Sequence, residues 1–225
     1  MIRNQLFSIF VLLLFYHNTA AQSSFDSSFH FYYYDQKLSM FEQMPTPPNS
    51  IVWLGDSITD GGEWSELFPQ YNTLNRGISA DNTFGVLHRL QEVIRRKPNK
   101  LFLMIGINDI SRTIPDEIIL RNYRRIIEQV QEQSPSTQIY VQSILPTNHL
   151  FTQFPNHQNK TAHIIYINQA LRILCREKQI SYINLYDSFT DSNGNLDQRY
   201  TNDGLHLTGE GYLRWKEILT SEKIL

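Results

Sequence analysis

The chain has 225 residues, 41% of them hydrophobic and 19% charged, which suits one globular domain with a sizeable apolar core. Its 20 Lys and Arg face 22 Asp and Glu, a formal net charge of −2, and no basic run or stripe appears. Nucleic-acid and anionic-membrane binding therefore have no electrostatic support, and a single cysteine, Cys175, excludes an intramolecular disulfide.

At the N-terminus Arg3 precedes an uncharged apolar run from Leu6 to Tyr16, followed by Asn18-Thr19-Ala20-Ala21-Gln22. A positive start, a short apolar middle and small residues at −3 and −1 describe a secretory signal peptide cleaved after Ala21, with Ala20 the alternative point. The run is shorter than the roughly 20 apolar residues of a spanning helix, which favours an exported, periplasmic or extracellular protein over one with an N-terminal anchor. No cysteine stands at the cleavage point, against lipid modification. Residues 1–21 are thus expected to be the signal peptide, 22–48 an N-terminal arm with a short helix, and 49–225 the main domain.

Within the arm, a Ser-rich stretch leads to Phe29-His30-Phe31-Tyr32-Tyr33-Tyr34. Such aromatics fasten an arm to a core more often than they stack on carbohydrate. Asp35 to Met44 is predicted as a short helix with Leu38, Phe41 and Met44 toward the domain, ended by Pro45, Pro47 and Pro48.

From Ile51 strands and helices alternate. Ile51-Val52-Trp53-Leu54 reads as a buried strand running into Gly55-Asp56-Ser57, a tight turn that presents a hydroxyl at the start of a helix. Thr73–Arg76 is a short strand and Asn82–Arg96 a helix with Val86, Leu87, Leu90, Val93 and Ile94 on one face. Leu101–Ile105 is a strand, Pro115–Gln133 a helix, Ile139–Ser143 a strand, Lys160–Lys178 a helix, Ser181–Leu185 a strand and Thr208–Leu219 the closing helix. Apolar strands alternating with amphipathic helices predict an α/β fold whose parallel sheet is covered on both faces. Cys175 falls in the apolar stripe of its helix, a packing position. One connection, Leu145–Asn159 with Phe151 and Phe154, is long, and such loops concentrate function or mobility. Asn159-Lys160-Thr161 within it has the glycosylation-acceptor pattern, which matters only in a eukaryotic secretory pathway.

In such a sheet reactive groups collect beyond the carboxyl ends of the strands. Those ends carry Ser57, Asn75-Arg76-Gly77-Ile78-Ser79, Gly106-Ile107-Asn108-Asp109 and, after the last strand, Asp203-Gly204-Leu205-His206. Asp203 and His206, three residues apart before a helix, can pair so that the carboxylate fixes the imidazole tautomer. The other ring nitrogen is then free to take the serine proton. The Ser57 N–H, the Gly77 N–H and the Asn108 amide are candidate donors to the oxygen that becomes negative when an ester is attacked. Singly, these are also ordinary turn and capping residues. Their joint placement at strand ends is what points to chemistry.

These four segments resemble the blocks of the GDSL, or SGNH, hydrolase family, whose letters match Ser57, Gly77, Asn108 and His206. The likeness runs from about Ile51 to Tyr212. Asn75–Asp81, Val86–Leu90 and Leu207–Tyr212 are similar to platelet-activating-factor acetylhydrolase catalytic subunits and to exported bacterial sialate or carbohydrate O-acetylesterases. The resemblance implies a flavodoxin-like three-layer α/β/α sandwich, a Ser-Asp-His triad and ester hydrolysis with no cofactor and no metal. Ile58 stands where the name motif has Leu, an apolar exchange that leaves the nucleophile unchanged. Asp56, Asn75, Asp81 and Asp109 are expected to support the site, Asp109 by holding its loop, and His149 to contact substrate. His88 and His163 lie on predicted helices and are read as structural.

The expected function is an exported serine esterase that removes short acyl groups, acetyl above all, from a small-molecule or glycan ester such as O-acetylated sialic acid. One alternative is a lysophospholipase or thioesterase whose 145–159 loop lines an acyl groove. Another is an inactive scaffold serving as a carbohydrate-binding module, which leaves the full catalytic set unexplained.

Overall fold

The computed structural model describes residues 25–225, so the signal-peptide expectation falls outside the described residues. α1 (Tyr32–Gln43) opens the described chain. It is followed by β1 (Ile51–Gly55), α2 (Ser57–Asp60), α3 (Trp64–Leu67), β2 (Thr73–Gly77), α4 (Thr83–Ile94), β3 (Lys100–Met104), α5 (Ile107–Ser111) and α6 (Asp116–Gln133). β4 (Gln138–Gln142), α7 (Thr161–Lys178), β5 (Ser181–Ile183), α8 (Tyr186–Phe189) and α9 (Gly209–Ser221) complete it. No helix among the described residues is long and apolar enough to cross a membrane.

All five strands are parallel in the order β2-β1-β3-β4-β5. That is the flavodoxin-like order, whose reversal point lies between β1 and β3, where ligands bind beyond the strand ends. β1 is buried along its whole length, as a central strand covered on both faces must be.

Register builds the core. Trp53 on β1 pairs with Phe102 on β3, and Phe102 with Tyr140 on β4, which lines up three aromatic rings on one sheet face. Trp53 stacks on Phe102 at 4.4 Å and on Trp64 of α3 at 3.7 Å, while Trp215 of α9 meets Trp64 edge-on at 5.0 Å. Aromatic contacts of this kind contribute about 0.5–1.5 kcal/mol each beyond simple burial. The Trp215 indole N–H reaches Gln142 Oε1 at 2.8 Å, so its one polar group is not left dry. α6 presents Ile119, Tyr123, Ile126, Ile127 and Val130, and α7 presents Ile164, Ile167, Leu171 and Leu174, to the core at helical spacing.

Two differences from the expected elements have physical reasons. α1 begins at Tyr32, three residues early, because Tyr34 is fully buried with its hydroxyl donated to Gly85 O at 2.8 Å. Tertiary packing there overrides the weak helix propensity of tyrosine. The long 145–159 connection is pinned: Asn148 N–H donates to Gly204 O at 2.8 Å, and Pro155–His157 closes a 3-10 turn.

Candidate active site

The strand-to-helix turn after β1 is built for close approach. A Cβ at Gly55 would lie 2.2 Å from Thr59 Oγ1 and 2.3 Å from Met104 O, so only glycine lets β1 turn this tightly into α2. Asp56 caps α2 by accepting the Ile58 N–H at 3.0 Å, and Ser57 follows as the first helical residue. Among the described residues the Ser57 N–H has no acceptor, so hydroxyl and free N–H emerge at one helix start.

Asp203 and His206 come from the loop before α9, 149 positions along the chain from Ser57 in the case of the histidine. His206 Nε2 lies 2.9 Å from Ser57 Oγ, and His206 Nδ1 lies 2.7 Å from Asp203 Oδ2. The other Asp203 oxygen accepts the Leu205 and His206 N–H groups at 2.9 and 2.8 Å. Burial alone would raise the Asp203 pKa, but the hydrogen bonds from the His206 backbone and ring and from Leu205 outweigh it and hold the carboxyl below its ordinary value. It is therefore an anion, placed to hold the ring with Nε2 toward the serine. The loop has its own glycine, Gly204 at φ +81°, where a Cβ would meet Asn148 O at 2.5 Å.

Of the three expected oxyanion donors, one is already occupied in the structure. The Gly77 N–H donates to Asn75 Oδ1 at 2.8 Å, and a Cβ at Gly77 would strike the Asp60 backbone nitrogen at 2.1 Å. Gly77 thus packs β2 against α2, and its N–H is already used. The backbone donor left on this loop is Ala80, in the left-handed region at φ +65°, whose N–H has no acceptor among the described residues. Ala80 and Asn108 line the same cavity. One hydrogen of the Asn108 amide goes to Asp81 O at 2.8 Å and the second remains available. Sequence reasoning missed Ala80 because the sign of φ at a non-glycine residue is set by tertiary contacts.

Asn75 and the carboxylates hold this frame. Asn75 Nδ2 donates to Asp60 O and Gly62 O, tying β2 to the end of α2. Asp81 forms a fully buried ion pair with Arg89 at 2.9 Å, and Arg89 also donates to Gly55 O at the nucleophile turn. Asp109 accepts the Thr83 backbone N–H and hydroxyl, joining α5 to the start of α4. Burial first, with Asp81 nearby, pushes the Asp56 and Asp109 carboxyls up to about 7, which reduces the negative charge beside the oxyanion donors.

On the Asn108 side of the triad lies a cavity of about 490 Å³ bounded by Asp26 of the arm, Ala80, Asn108, Arg112, Phe154 and His157, among others; Ser57 and His206 are not in its lining. His149 is not on it: exposed, it pairs with Asn195 at 3.0 Å, because the loop turns away at that point. The histidine that faces the site is His157, with Nε2 3.0 Å from Asn108 Oδ1. Its only signal in the sequence was its place in the long loop after Pro155. Phe154 sets its ring edge-on to His206 at 4.9 Å. His88 meets the arm at Tyr34, and His163 pairs with Asp116.

Comparison with known proteins follows the same lines. The model of the GDSL-like lipase/acylhydrolase family matches residues 53–214. The human platelet-activating factor acetylhydrolase IB subunit alpha2 is 28% identical over 172 residues, 73% of this chain and 71% of that protein. A Streptococcus pneumonia structure, provisionally assigned as a platelet activating factor, is 30% identical with a TM-score of 0.78, covering 84% of this chain and 92% of that one. A catalytic mutant of an acetylxylan esterase from Geobacillus stearothermophilus shares the fold at 16% identity and a TM-score of 0.63, covering 79% of this chain and 95% of that one.

Proposed function

The chain belongs to the GDSL-like lipase/acylhydrolase family, and on that premise we propose that it is an exported serine esterase that removes acetyl groups from a polar, carbohydrate-type alcohol. The observation that carries the reading is the hydrogen-bonded series Ser57 Oγ, His206 Nε2, His206 Nδ1, Asp203 Oδ2, with links of 2.9 and 2.7 Å. His206 takes the Ser57 proton as Oγ attacks the ester carbonyl carbon. The carbonyl oxygen gains the electron pair and is held by the Ser57 and Ala80 N–H groups and the Asn108 amide. When the tetrahedral centre collapses, His206 returns the proton to the departing alcohol. Water, deprotonated by the same ring, then releases acetate and restores Ser57.

Two features support a short acyl group on a polar alcohol. Asp26, Ser111, Arg112, Gln153 and Asn156 place polar groups on the cavity beside Asn108, and Phe154, one of the two loop phenylalanines that could line an acyl groove, is packed on His206. The names of the human and Geobacillus relatives also both specify acetyl esters. Export rests on the leader from Arg3 to Ala21, and a mature N-terminus at Gln22 in the extracytoplasmic fraction is its check.

The deciding assay compares p-nitrophenyl acetate with the octanoate ester. Acetate turns over faster, and Ser57→Ala lowers kcat by roughly a million-fold, as loss of the nucleophile does in comparable triads. Faster octanoate hydrolysis would move the assignment to a lipid acylhydrolase, and undiminished activity in Ser57→Ala would remove the serine mechanism.

A further inference from the structure

We propose that His157 is a positioning residue for ester hydrolysis, a neutral imidazole that locks the Asn108 amide so that an N–H faces the developing oxyanion. This rests on the reading of Asn108 as an oxyanion donor. A carboxamide is nearly symmetrical in shape, so a half-turn about its last bond exchanges the oxygen for the NH2 at little steric cost. Only hydrogen bonds choose between the two orientations. On one side Asn108 Nδ2 donates to Asp81 O at 2.8 Å, and on the other Asn108 Oδ1 lies 3.0 Å from His157 Nε2.

The tautomer follows from this pair. A backbone carbonyl can only accept, so the NH2 must face Asp81. Oδ1 is then an acceptor facing the ring, and Nε2 has to carry the ring proton. Neither other combination works. An Nε2 lone pair would oppose Oδ1, and a flipped amide would set its oxygen against Asp81 O. His157 Nδ1 is therefore the bare nitrogen, and it is buried without a partner among the described residues. A second proton there would place an N–H where nothing accepts it. Burial first, then His206, Arg112 and Lys160, push the His157 pKa down to about 4, so the ring is neutral at pH 7.

The rest of the loop holds His157 in place. Its carbonyl accepts the Thr147 hydroxyl at 3.2 Å, and its ring meets Phe154 edge-on at 5.9 Å. Phe154 contacts His206 with the same ring, so one aromatic side chain spaces the positioning imidazole from the catalytic one. Among the described residues His157 makes no hydrogen bond to Ser57, and its one side-chain hydrogen bond is to Asn108, through which it acts.

A double-mutant cycle on p-nitrophenyl acetate isolates that role. His157→Leu is expected to lower kcat roughly tenfold or more, the effect of one hydrogen bond to a site that then loses its fixed orientation, with KM within about twofold. Asn108→Ala is expected to lower kcat by about 100- to 1000-fold. The double variant should be no slower than Asn108→Ala, because His157 has nothing left to orient. His157→Gln, which presents an amide N–H toward Asn108, should recover much of the loss, and thermal melting of each variant separates misfolding from misorientation. Losses that multiply in the double variant, or a His157→Leu enzyme of normal kcat beside a slow Asn108→Ala enzyme, would overturn the role of His157 and leave the oxyanion reading intact. A normal kcat in Asn108→Ala would overturn both.

Discussion

Replacing Asp203 by asparagine tests the triad more sharply than deleting it, because the hydrogen bonds dictate how the new side chain must sit. The carboxylate divides its oxygens: Oδ1 accepts two backbone N–H groups, from Leu205 and His206 at 2.9 and 2.8 Å, and Oδ2 accepts the His206 ring at 2.7 Å. Asparagine has one acceptor oxygen. Set against the two N–H donors, it keeps both of those bonds. Turned toward the ring, it keeps one and drives its NH2 into two other donors. The first arrangement is favoured by at least one hydrogen bond, about 1 kcal/mol, plus the cost of opposing donors.

The amide NH2 then faces His206 Nδ1 and requires a lone pair there, so the ring proton moves to Nε2. That nitrogen, 2.9 Å from Ser57 Oγ, can no longer accept the serine proton. The expected loss in kcat is about 10,000-fold, roughly 5.5 kcal/mol, which is what the wrong tautomer costs in the Ser-His-Asp triad of an unrelated fold. KM should change little, since the cavity walls are untouched. Initial rates on p-nitrophenyl acetate, with thermal melting to establish a native fold, provide the readout. A folded Asp203→Asn enzyme within tenfold of the parent would refute the tautomer argument.

Three further predictions concern the frame. Gly77→Ala should destabilise by about 1–3 kcal/mol in urea unfolding, because its Cβ would meet the Asp60 nitrogen at 2.1 Å and the neighbour is backbone; an unchanged midpoint would contradict the close packing of β2 on α2. Arg89→Met strands the buried Asp81 carboxylate and should cost about 3–5 kcal/mol in the same assay, whereas a loss under 1 kcal/mol would mean that the pair is not structurally important. Asp56 has a folded pKa near 7 against an ordinary 3.8, so the folded state holds a proton that the unfolded state has released between those values. Its contribution to stability is present in full below about pH 4, declines as pH rises, and levels off past 7. Asp56→Asn cannot titrate, so the melting temperature of the parent relative to this variant should fall from pH 4 to 7; a flat difference would show that the carboxyl is ionised in the folded protein.

Much of the fold was legible because its signals are local. The run Ile51–Leu54 and the run Leu101–Ile105 are apolar on both faces, as only central strands are, and α6 and α7 carry unbroken helical periodicity. The helices α2, α3, α5 and α8 have four or five residues each, too few for a period to show. In the site, Asp203 and His206 announce themselves by spacing, since their pairing is a property of one loop. Gly77 and Ala80 were harder to separate. Gly77 ends β2 and Ala80 follows three residues on, and which N–H stays free depends on Asn75 folding back to occupy one of them. The choice between His149 and His157 has the same character, decided by where a fifteen-residue loop happens to turn.

The arm shows how that frame is completed from outside the family-matched segment. Asp60, the last residue of α2, accepts Tyr33 Oη at 2.8 Å and Lys37 Nζ at 2.6 Å from α1, and also the Ser79 hydroxyl at 2.9 Å beside Ala80. Farther out, Ser28 O accepts Arg112 and Asn82, and Arg112 donates to Ala80 O as well. The nucleophile helix and the oxyanion loop are therefore linked to each other and to residues 25–44 by the same few polar groups. Donors aimed at a charge that exists only in the transition state are effective to the extent that they need not move when it appears. Ala80, held in a strained left-handed conformation on an exposed turn, needs such fastening more than any other group in the site, since nothing in its own side chain can supply it. The arm supplies it through Arg112, and its Asp26 lines the same cavity as Ala80 and Asn108.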